Sequence, residues 1–497
     1  MNKKIIFNPA YMMKRDEGRV LLMLRDGLKF SNESISSGYD SFVHPLYAII
    51  FSFIDGNTIE NSLDRICEYI DIPRDYTKNF ILQLIDNEES VGIELNNVFL
   101  SFPPKTIISF NSENEKINNY NPDDFLYDSL DLRMKRHLTP TDITLMINNK
   151  CATDCVYCYA DRRIETNCKI PLNRILEIIK EAKSFGARTF NIIGGEFFIY
   201  KYWKEVLEEL VKNDFSPFLS TKIPIGETAI KFLADLKIDD LQISLDTLLD
   251  NNLCEILQVK NKYPQQIRKT FELLDKYSVK TYVHTILTSM NDSVGDMKSV
   301  YDFLSNFSNI GYWRPDLVGP SLYLDRNSFD KIKIKDDKLK LIIDFFDGIK
   351  DKSKFEIRAD GIGISNKNVE ETPFEEKQEN FFSRGLCTAN YSKLFILPDG
   401  QVTGCEELYW HPQFVYGNVI TQSLKEIWNS DEAEYLLNIP QQDIGHDSIC
   451  RNCNDYNKCR EIKQICWRDT MKAYGEDKWY YPDVNCPKAP PKIYELN

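Results

Sequence analysis

Three cysteines with close, regular spacing are the residues of this sequence best suited to chemistry. Cys151, Cys155 and Cys158 follow the apolar run TDITLMIN, which predicts a buried strand. Three thiolates can hold three irons of a four-iron cluster, whereas a cluster bound entirely by protein needs four. The spacing therefore predicts a [4Fe–4S] cluster whose fourth iron is free to bind another ligand.

Two other interpretations of these thiols stay open. Zn²⁺ also binds thiolates, but a structural zinc site has four ligands, and neither His137 nor His284 stands at a usual zinc-ligand spacing. An amphipathic helix would bring three residues with these offsets to one face. That interpretation leaves Asp154 and two tyrosines among the thiols unexplained.

Two polar motifs follow later predicted strands. Gly194 and Gly195 would let the backbone approach a ligand closely, and the carboxylate of Glu196 could accept hydrogen bonds from an ammonium group. Ser244 and Asp246, two residues apart, face the same side of a strand. Each motif also has an ordinary interpretation, since Gly-Gly-Glu is common in turns and Asp246 could cap the segment that follows.

The C-terminal part of the chain holds most of the remaining cysteines. Seven thiols exceed the need of one tetrahedral metal site and predict two metal centres. A C-x2-C pair alone would equally suit zinc or redox chemistry. The outlying Cys67, Cys168 and Cys254 are expected to be buried packing groups. The seven clustered residues are Cys387, Cys405, Cys450, Cys453, Cys459, Cys466 and Cys486.

Alternating strands and helices position the first motifs. Between residues 139 and 350, six predicted strands alternate with helices, which predicts an α/β domain with a parallel sheet and right-handed crossovers. Six strands are fewer than the eight of a closed (β/α)8 barrel, and functional residues are expected at the C-terminal strand ends. The predicted strands are TDITLMIN, RTFNIIGG, FSPFLSTKI, DLQISLDT, KTYVHTILTSM and GYWRPDLVG.

Residues 1–105 predict a small α+β module with a winged-helix pattern. A hairpin in IIFNPAYMMKRDEGRVLLMLR precedes three helical patterns, and Asn96-Asn97 predicts the turn of a second hairpin. Winged helices often bind DNA, but the third helix, DYTKNFILQLIDNEES, carries Lys78 as its only cation. The other predicted segments are a linker or bridge over 106–138, a charged, irregular connection over 351–380 and a cysteine-rich domain over 381–497.

Composition narrows the class of protein. The 497 residues suffice for two to four domains, and the net charge of −14 argues against nucleic acid as a partner. No apolar run approaches the roughly 20 residues of a membrane span, and MNKKIIFNP lacks the features of a signal peptide. We therefore expect a cytoplasmic protein without a membrane partner. Its 13 cysteines are not expected to form a disulfide framework, and those outside Cys67, Cys168 and Cys254 are expected to bind metal or clusters.

The pattern C-x3-C-x-aromatic-C of the first three cysteines resembles the signature of the radical S-adenosylmethionine (radical SAM) enzymes. The resemblance implies a partial (β/α)6 barrel in which the unique iron binds the amino and carboxylate groups of S-adenosylmethionine. Reductive cleavage then yields a 5′-deoxyadenosyl radical that abstracts hydrogen from an unactivated carbon. The implied contacts are Gly194, Gly195 and Glu196 for the methionine amino group, Ser244 and Asp246 for the ribose, Tyr157 for the adenine, and Thr221 and Lys222 for cofactor or substrate.

The C-terminal layout resembles the SPASM domain, which carries two auxiliary [4Fe–4S] clusters and would bring the total to three. Six residues separate Cys459 from Cys466 where the family pattern has three, a departure that bears on the role of Cys466. The proximal cluster would have only three cysteines, its fourth site being open to a substrate thiolate or filled by another residue or water. The implied ligands are Cys450, Cys453, Cys459 and Cys486 for the distal cluster, and Cys387, Cys405 and Cys466 for the proximal one.

The N-terminal module resembles the peptide-recognition element fused to peptide-modifying enzymes, in which a leader peptide adds a strand to a sheet edge. A plain capping domain is the alternative. The resemblance over the chain implies maturation of a ribosomally synthesised peptide by a thioether between a Cys and an acceptor carbon, as in sactipeptide and ranthipeptide maturases. The implied steps are hydrogen abstraction, thiolate capture of the carbon radical, and electron return through the auxiliary clusters.

The first cluster would draw electrons from a low-potential donor such as a flavodoxin or ferredoxin. Carbon–carbon crosslinking, epimerisation, and Cys or Ser oxidation by the same radical initiation stay open. A non-enzymatic iron–sulfur electron carrier or scaffold is the alternative from another class, although a carrier needs neither the Gly-Gly-Glu motif nor a barrel.

Overall fold

The computed structural model describes residues 3–25, 40–95, 98–110, 117–160, 166–238, 240–323, 326–362, 373–408, 411–460 and 465–493. It contains two compact units, Met1–Thr139 and Pro140–Asn497. We describe each unit by itself. Among the helices of these ranges, none combines the length and the apolar character that crossing a membrane requires.

The first unit has the predicted order of a hairpin, three helices and a second hairpin. Its strands form the sheets β5-β1-β8 and β2-β3-β4 and the hairpin β6-β7, all antiparallel. The predicted turn residues Asn96-Asn97 lie outside the described residues. The elements are β1 (Lys4–Phe7), β2 (Tyr11–Asp16), β3 (Arg19–Leu24), β4 (Asp40–Val43), α1 (Pro45–Ser52), β5 (Asp55–Thr58), α2 (Ile59–Tyr69), α3 (Arg74–Leu84), β6 (Val91–Leu95), β7 (Val98–Phe102) and β8 (Ile107–Ser109).

Helix α3 is shorter and more basic at its start than the sequence suggests. It begins at Arg74, so the prediction that Lys78 is its only cation is wrong. Both cations are paired: Arg74 and Lys78 each lie 2.8 Å from a carboxylate oxygen of Glu60, and Arg74 also contacts Asp64 at 2.6 Å. The positive charge of this helix is therefore compensated by carboxylates of α2.

A buried ion pair ties the β2–β3 hairpin to the segment that follows the module. Arg19 Nε donates to Asp16 Oδ2 over 2.7 Å, and both side chains are almost fully buried. The remaining guanidinium donors reach the carbonyl oxygens of Arg133 and Lys135, while Asp16 Oδ1 accepts from the Leu138 N–H. Residues 117–139, much of the predicted linker, thus belong to the first unit.

The second unit contains the six predicted barrel strands, β9 to β14, arranged in two sheets. One sheet has the order β11-β12-β13-β14-β15 and is parallel throughout; the other is β10-β9-β16-β17-β18, in which β10, β9 and β16 run parallel. The strands are β9 (Asp142–Met146), β10 (Thr189–Ile193), β11 (Leu219–Thr221), β12 (Leu241–Ser244), β13 (Thr281–Leu287), β14 (Ile310–Leu317), β15 (Glu356–Ile357), β16 (Lys393–Ile396), β17 (Gln401–Thr403) and β18 (Gly417–Asn418).

Helices follow most of these strands and cover one face of the sheets. Their apolar residues form the main core of the unit. They are α4 (Leu172–Ser184), α5 (Trp203–Lys212), α6 (Glu227–Asp235), α7 (Asp250–Leu257), α8 (Tyr263–Lys276), α9 (Val294–Leu304), α10 (Arg326–Ile332), α11 (Asp336–Ile349), α12 (Phe374–Phe382), α13 (Leu424–Trp428), α14 (Asp431–Leu437), α15 (Tyr456–Arg460) and α16 (Trp467–Tyr474).

The barrel sheets also contain two strands, β15 and β16, that were not predicted from the sequence. β15 pairs with β14 from within the segment 351–380, which also holds most of α12 and so is not wholly irregular. β16 comes from the cysteine-rich part and pairs with β9, the strand that leads into the first cysteine loop. Between β10 and β11 the ladder is interrupted, and the Phe218 N–H donates instead to Asn191 Oδ1.

We predict that Arg19→Met destabilises the first unit by about 3–5 kcal/mol, because it leaves the buried Asp16 carboxylate without its cation. The expected measurement is a lower urea midpoint. Arg15→Met, a substitution of an exposed arginine on the neighbouring strand β2, serves as the control and should change the free energy of unfolding by about 0.5 kcal/mol or less. Equal midpoints for the two variants would contradict the prediction.

Candidate functional site

The first three cysteines lie in one loop after β9. The Thr153 hydroxyl is 3.2 Å from Cys151 Sγ and 3.4 Å from Cys155 Sγ, so these two sulfurs are held close together. The Cys158 N–H donates to the Cys155 carbonyl over 3.1 Å, so the backbone makes a turn between these two cysteines. Burial raises the pKa of Cys155 to about 11, so a bound metal would have to deprotonate this thiol.

The C-terminus of α7 holds the loop from the other side. The N–H groups of Asp154 and Val156 donate to the carbonyls of Leu257 and Ile256, each over 3.0 Å. These are carbonyls that the end of a helix leaves without internal partners. Three converging thiols on a loop fixed at both sides fit the three-cysteine ligand set of an open [4Fe–4S] cluster.

Gly194 and Gly195 bring the end of β10 against this loop. A Cβ on Gly195 would lie 2.2 Å from the Lys150 carbonyl oxygen, and one on Gly194 would lie 2.8 Å from the Asn148 oxygen. Asn148 fixes the approach: its carbonyl accepts from Gly195 N–H over 2.8 Å, and its side-chain amide donates to the Glu196 carbonyl over 3.1 Å. The absence of Cβ atoms thus permits a backbone contact that places Glu196 beside the cysteine loop.

Glu196 is a buried carboxylate whose hydrogen-bond donors among the described residues are neutral groups, although the charge of Lys222 also acts to lower its pKa. Oε1 accepts from the Phe198 N–H, and Oε2 accepts from the Thr221 hydroxyl over 2.8 Å and the Lys222 N–H over 3.4 Å. Burial raises its pKa to about 7, against the lowering effect of these hydrogen bonds. Among the described residues it makes no salt bridge, so a bound ammonium group would supply the missing positive charge.

Tyr157 and Asp246, predicted separately as cofactor contacts, touch each other. The Tyr157 hydroxyl donates to Asp246 Oδ2 over 2.5 Å and accepts from Lys222 Nζ over 3.0 Å. Burial and the neighbouring Asp246 carboxylate raise the pKa of Tyr157 well above its usual value, so the hydroxyl keeps its proton. Asp246 Oδ1 accepts from the Ile286 N–H, which leaves the carboxylate buried and fully engaged.

The remaining predicted contacts lie around this network. Strand β12 ends at Ser244, which is buried, and Asp246 follows two residues later beyond the strand. Thr221 ends β11 and bonds Glu196, while Lys222 carries the hydrogen bond to Tyr157. The structure therefore brings Tyr157, Glu196, Asp246, Thr221 and Lys222 into one network next to the cysteine loop.

Three participants were not predicted from the sequence. Asn148 clamps Glu196, Thr153 bridges two thiols, and Tyr263 closes the network by donating to the Lys222 carbonyl. Asn148 could have been predicted, because it lies directly between a buried strand and the cysteine loop. No sequence pattern indicates Tyr263, because it lies at the start of α8 and contacts the site only through the tertiary fold.

Four of the C-terminal cysteines line one pocket that opens to solvent. They are the four predicted distal ligands, Cys450, Cys453, Cys459 and Cys486. None of the thirteen cysteines, all of which lie among the described residues, forms a disulfide. Among the described residues, no three His, Cys, Asp or Glu side chains have the close spacing that a single metal ion requires. The fit to a cluster therefore rests on four thiols around one shared space.

Cations surround these four thiols. Arg384 Nη2 lies 3.7 Å from Cys459 Sγ, and Lys488 Nζ lies 3.9 Å from Cys453 Sγ. Burial raises the pKa of Cys450, and the charge of Arg460 opposes the shift. The Gln441 amide donates to the carbonyls of Cys450 and Cys453, each over 2.9 Å, and so fixes the C-x2-C turn. These contacts favour the thiolate forms that cluster binding needs.

The three predicted proximal ligands gather around a different cation. Burial raises the pKa of Cys387, of Cys405 to about 11 and of Cys466 to about 12, and the charge of Arg468 opposes all three shifts. Arg468 is held in turn by Glu407, 3.1 Å away. Cys466 stands at the start of α16, where its N–H donates to Asp483 Oδ2. Three partly buried thiols near one guanidinium fit a second cluster with three cysteine ligands.

We predict that Glu196→Gln stabilises the cofactor-free protein more at pH 8 than at pH 6. The folded state keeps a proton on Glu196 up to about pH 7, whereas the unfolded chain loses it near pH 4.5. The unfolding free energy of the wild type therefore falls as pH rises between those values. A glutamine at this position does not ionise, so the variant does not show this fall. The difference in unfolding free energy between variant and wild type should grow by roughly 1 kcal/mol from pH 6 to pH 8. Denaturant unfolding at both pH values measures it, and a constant difference would contradict it.

Comparison with known proteins gives two family models that each match part of the chain, and solved structures with a similar fold. The family model of the radical SAM superfamily matches residues 145–304, and that of the SPASM iron–sulfur cluster-binding domain matches residues 387–454. Probable GTP 3′,8-cyclases of Methanococcus maripaludis, strains C7 and C5, are 31% identical over 106 residues, which is 21% of this chain. The matched segment spans 36% of the length of these curated relatives.

Structures of SuiB from Streptococcus suis share the fold over 97% of this chain and 99% of theirs, with a TM-score of 0.61 and 15% identity. One of them contains S-adenosylmethionine, and another contains the precursor peptide SuiA. The fold class is thus the expected one, a partial α/β barrel with an N-terminal α+β unit and a C-terminal cysteine-rich domain. By these matches, residues 145–304 are similar to the radical SAM superfamily, and residues 387–454 are similar to the SPASM iron–sulfur cluster-binding domain.

Proposed function

We propose that this protein modifies a ribosomally synthesised peptide by radical chemistry and forms a thioether between a Cys and an acceptor carbon. The observation that carries the proposal is the pairing of the three-cysteine loop with a buried carboxylate, Glu196, that makes no salt bridge among the described residues. Glu196 lies at the end of β10, where its backbone meets the entry to the loop, and its carboxylate is engaged only by neutral donors. An amino acid ammonium group completes this environment.

Different residues of the barrel would bind different parts of S-adenosylmethionine. Cys151, Cys155 and Cys158 would hold a [4Fe–4S] cluster, Glu196 would accept the methionine ammonium, and Ser244 with the Asp246–Tyr157 pair would line the nucleoside. When bound, the cluster and S-adenosylmethionine supply a 5′-deoxyadenosyl radical that removes a hydrogen atom from the substrate. Lys222 links the two ends of this site, since its backbone N–H donates to Glu196 and its side chain donates to Tyr157.

A peptide substrate is supported by the first unit. SuiB, which shares the fold over nearly the whole chain, has been crystallised with a precursor peptide. In this protein, residues 1–105 would bind a leader segment, with β2 and β4 as the outer strands of a three-stranded sheet that an added strand could extend. Exposed apolar side chains of α3 and β7, Tyr76, Leu82 and Phe99, offer further contact surface.

Thioether formation is supported by the arrangement of the C-terminal thiols. Four line one pocket, and the charge of Arg468 acts on the three predicted proximal thiols. With two auxiliary [4Fe–4S] clusters bound, the proximal one would have a coordination site for a substrate thiolate or another ligand. We further propose the boundaries 139–350 for the barrel, 351–380 for the connection and 381–497 for the SPASM domain, and a cytoplasmic setting with a flavodoxin or ferredoxin as electron donor.

The radical step is tested by anaerobic reconstitution with iron and sulfide, followed by dithionite and S-adenosylmethionine. The wild type should release 5′-deoxyadenosine. Replacing Cys151, Cys155 and Cys158 together with Ala should abolish the release and lower bound iron by about one third, because two of three four-iron clusters remain. Cys67→Ala, in the first unit, is the matched control and should retain both. No 5′-deoxyadenosine from fully loaded wild-type protein would refute the enzyme proposal.

The product is tested by co-expression with a short cysteine-containing precursor encoded in a neighbouring reading frame. A thioether should remove the mass of two hydrogen atoms and protect the Cys from iodoacetamide. Loss of two hydrogens with an alkylatable Cys would indicate a carbon–carbon crosslink instead, and an unchanged mass with altered stereochemistry would indicate epimerisation. A precursor shortened by its leader should be modified more slowly if the first unit binds that segment.

A further inference from the structure

A charged layer lies on β12, β13 and β14, on the sheet face opposite the helices. In β13, Val283 and Leu287 belong to the core under the helices, and in β14 the Trp313 ring packs on Phe346 of α11. Alternate residues of a strand face opposite sides. His284, Arg314 and Asp316 therefore lie on the face that the helices leave open.

Asp316 organises this layer. Its Oδ2 lies 2.8 Å from His284 Nε2 and 2.9 Å from Arg314 Nε. A Cβ on Gly361 would come within 2.4 Å of Oδ1, so backbone covers the other side of the carboxylate. Burial would raise the pKa of Asp316, but the hydrogen bonds and charges of His284 and Arg314 lower it overall, and the carboxylate stays ionised. Asp316 is thus an internal anchor and is not available to a ligand.

Arg314 is the exposed member of the layer. Its side chain is 54% exposed, whereas those of His284 and Asp316 are each 21% exposed. The ion pair uses Nε, which leaves the terminal nitrogens and their four N–H donors without a carboxylate partner among the described residues. A guanidinium held along one edge presents its other edge as a two-pronged donor for a planar anion.

The layer lies next to the candidate cofactor site. Ser244, His284 and Arg314 are paired in register across the three strands. One step further along, Asp316 pairs with Ile286, whose N–H donates to Asp246. Asp246 in turn accepts from Tyr157 of the cysteine loop. A group bound at Arg314 would therefore lie two strands away from the residues that hold the nucleoside.

Aromatic side chains fill the same face toward the N-terminal strand ends. The rings of Tyr282 and Tyr312 are 4.2 Å apart, and the Arg358 guanidinium lies 4.0 Å above the Tyr312 ring. Arg358 is itself paired with Glu356 over 2.7 Å. A polar ligand on this face would therefore contact aromatic rings and the ion-paired Arg358 on one side. On the other side it would contact the terminal nitrogens of Arg314, which have no carboxylate partner among the described residues.

We propose that Arg314, oriented by Asp316 and His284, binds a carboxylate of the peptide being modified, and so selects peptides with a negative group close to the reacting residue. This inference rests on the proposed function and narrows its substrate class. An Asp or Glu side chain and a free C-terminus carry the same chemistry, and the two sources are separated by the choice of probe.

The test uses the full-length, cluster-loaded protein with S-adenosylmethionine and three synthetic peptides. The first is acetyl-Gly-Ser-Cys-Gly-Glu-Gly-Ser-amide, the second has Gln in place of Glu, and the third has Gln and a free carboxyl terminus. Calorimetric titration at low salt gives their affinities. The wild type should bind at least one of the two carboxylate peptides roughly tenfold tighter than the neutral one, as a charge-assisted hydrogen bond predicts. Which one binds tighter identifies the source.

Arg314→Gln should remove this preference and leave the affinity for the neutral peptide unchanged. Asp316→Asn makes the site more positive, yet it should also weaken the preference, because Arg314 loses its anchor. Arg268→Gln, which removes a partly exposed and ion-paired arginine of α8, is the matched control and should keep the preference. Equal thermal midpoints of the Arg314 variant and the wild type verify folding.

Three results would overturn the assignment: no preference in the wild type, an unchanged preference in Arg314→Gln, or a stronger one in Asp316→Asn, which would point to general attraction. Reduced S-adenosylmethionine affinity in Arg314→Gln would assign the arginine to the cofactor carboxylate instead. The proposed function is judged separately, by the mass change of the precursor with wild-type protein. A modified precursor together with equal probe affinities would reject the Arg314 assignment alone.

Discussion

The close approach of two backbone segments, at the C-terminal ends of β9 and β10, fixes the geometry of the candidate site. Gly194 and Gly195 lie so near Asn148 and Lys150 that a side chain at either glycine would collide with a carbonyl oxygen. The contact delivers the Glu196 carboxylate to the entrance of the cysteine loop. On its other side the loop is held by α7 through two backbone hydrogen bonds and by Asp246 through Tyr157. Neighbouring strands therefore supply different parts of one site.

Charge is distributed differently in the barrel and in the cysteine-rich part. In the barrel, Glu196 and Asp246 are buried and bonded to neutral donors, an arrangement suited to a ligand that brings its own positive charge. In the C-terminal part, Arg384, Lys488 and Arg468 lie near thiols. Cations and hydrogen bonds near cluster ligands are among the factors that set reduction potentials. The buried carboxylates of the barrel thus suit a cationic ligand, and the cations of the C-terminal part suit anionic clusters.

The sequence predicts the parts of this fold that depend on local patterns. Six barrel strands, three N-terminal helices and both hairpins follow from periodicity and turn residues, and the cysteine triad follows from spacing. β15 was missed because two residues carry no periodicity, and β16 because its partner lies far away in the chain. The site residues were found singly, but their contacts, such as that of Tyr157 with Asp246, depend on strands whose order in space is not encoded locally. The long spacing between Cys459 and Cys466 departs from the family pattern. In the structure the charge of Arg468 acts on Cys466, which is not among the residues lining the distal pocket.

The pairing of β16 with β9 has a consequence for how the chain folds. The Thr141 hydroxyl, at the start of β9, donates to the carbonyl of Ser392, which is 251 residues away. The Arg174 guanidinium of α4 likewise donates to carbonyls of Val419 and Gln422. Contacts at such separation form late, because the closure of a long loop precedes any gain from them. The edge of the barrel that bears the cysteine triad is therefore completed only after the cysteine-rich part has been synthesised. The two regions mature as one folding unit, and a chain truncated before β16 would leave an open strand edge beside the triad.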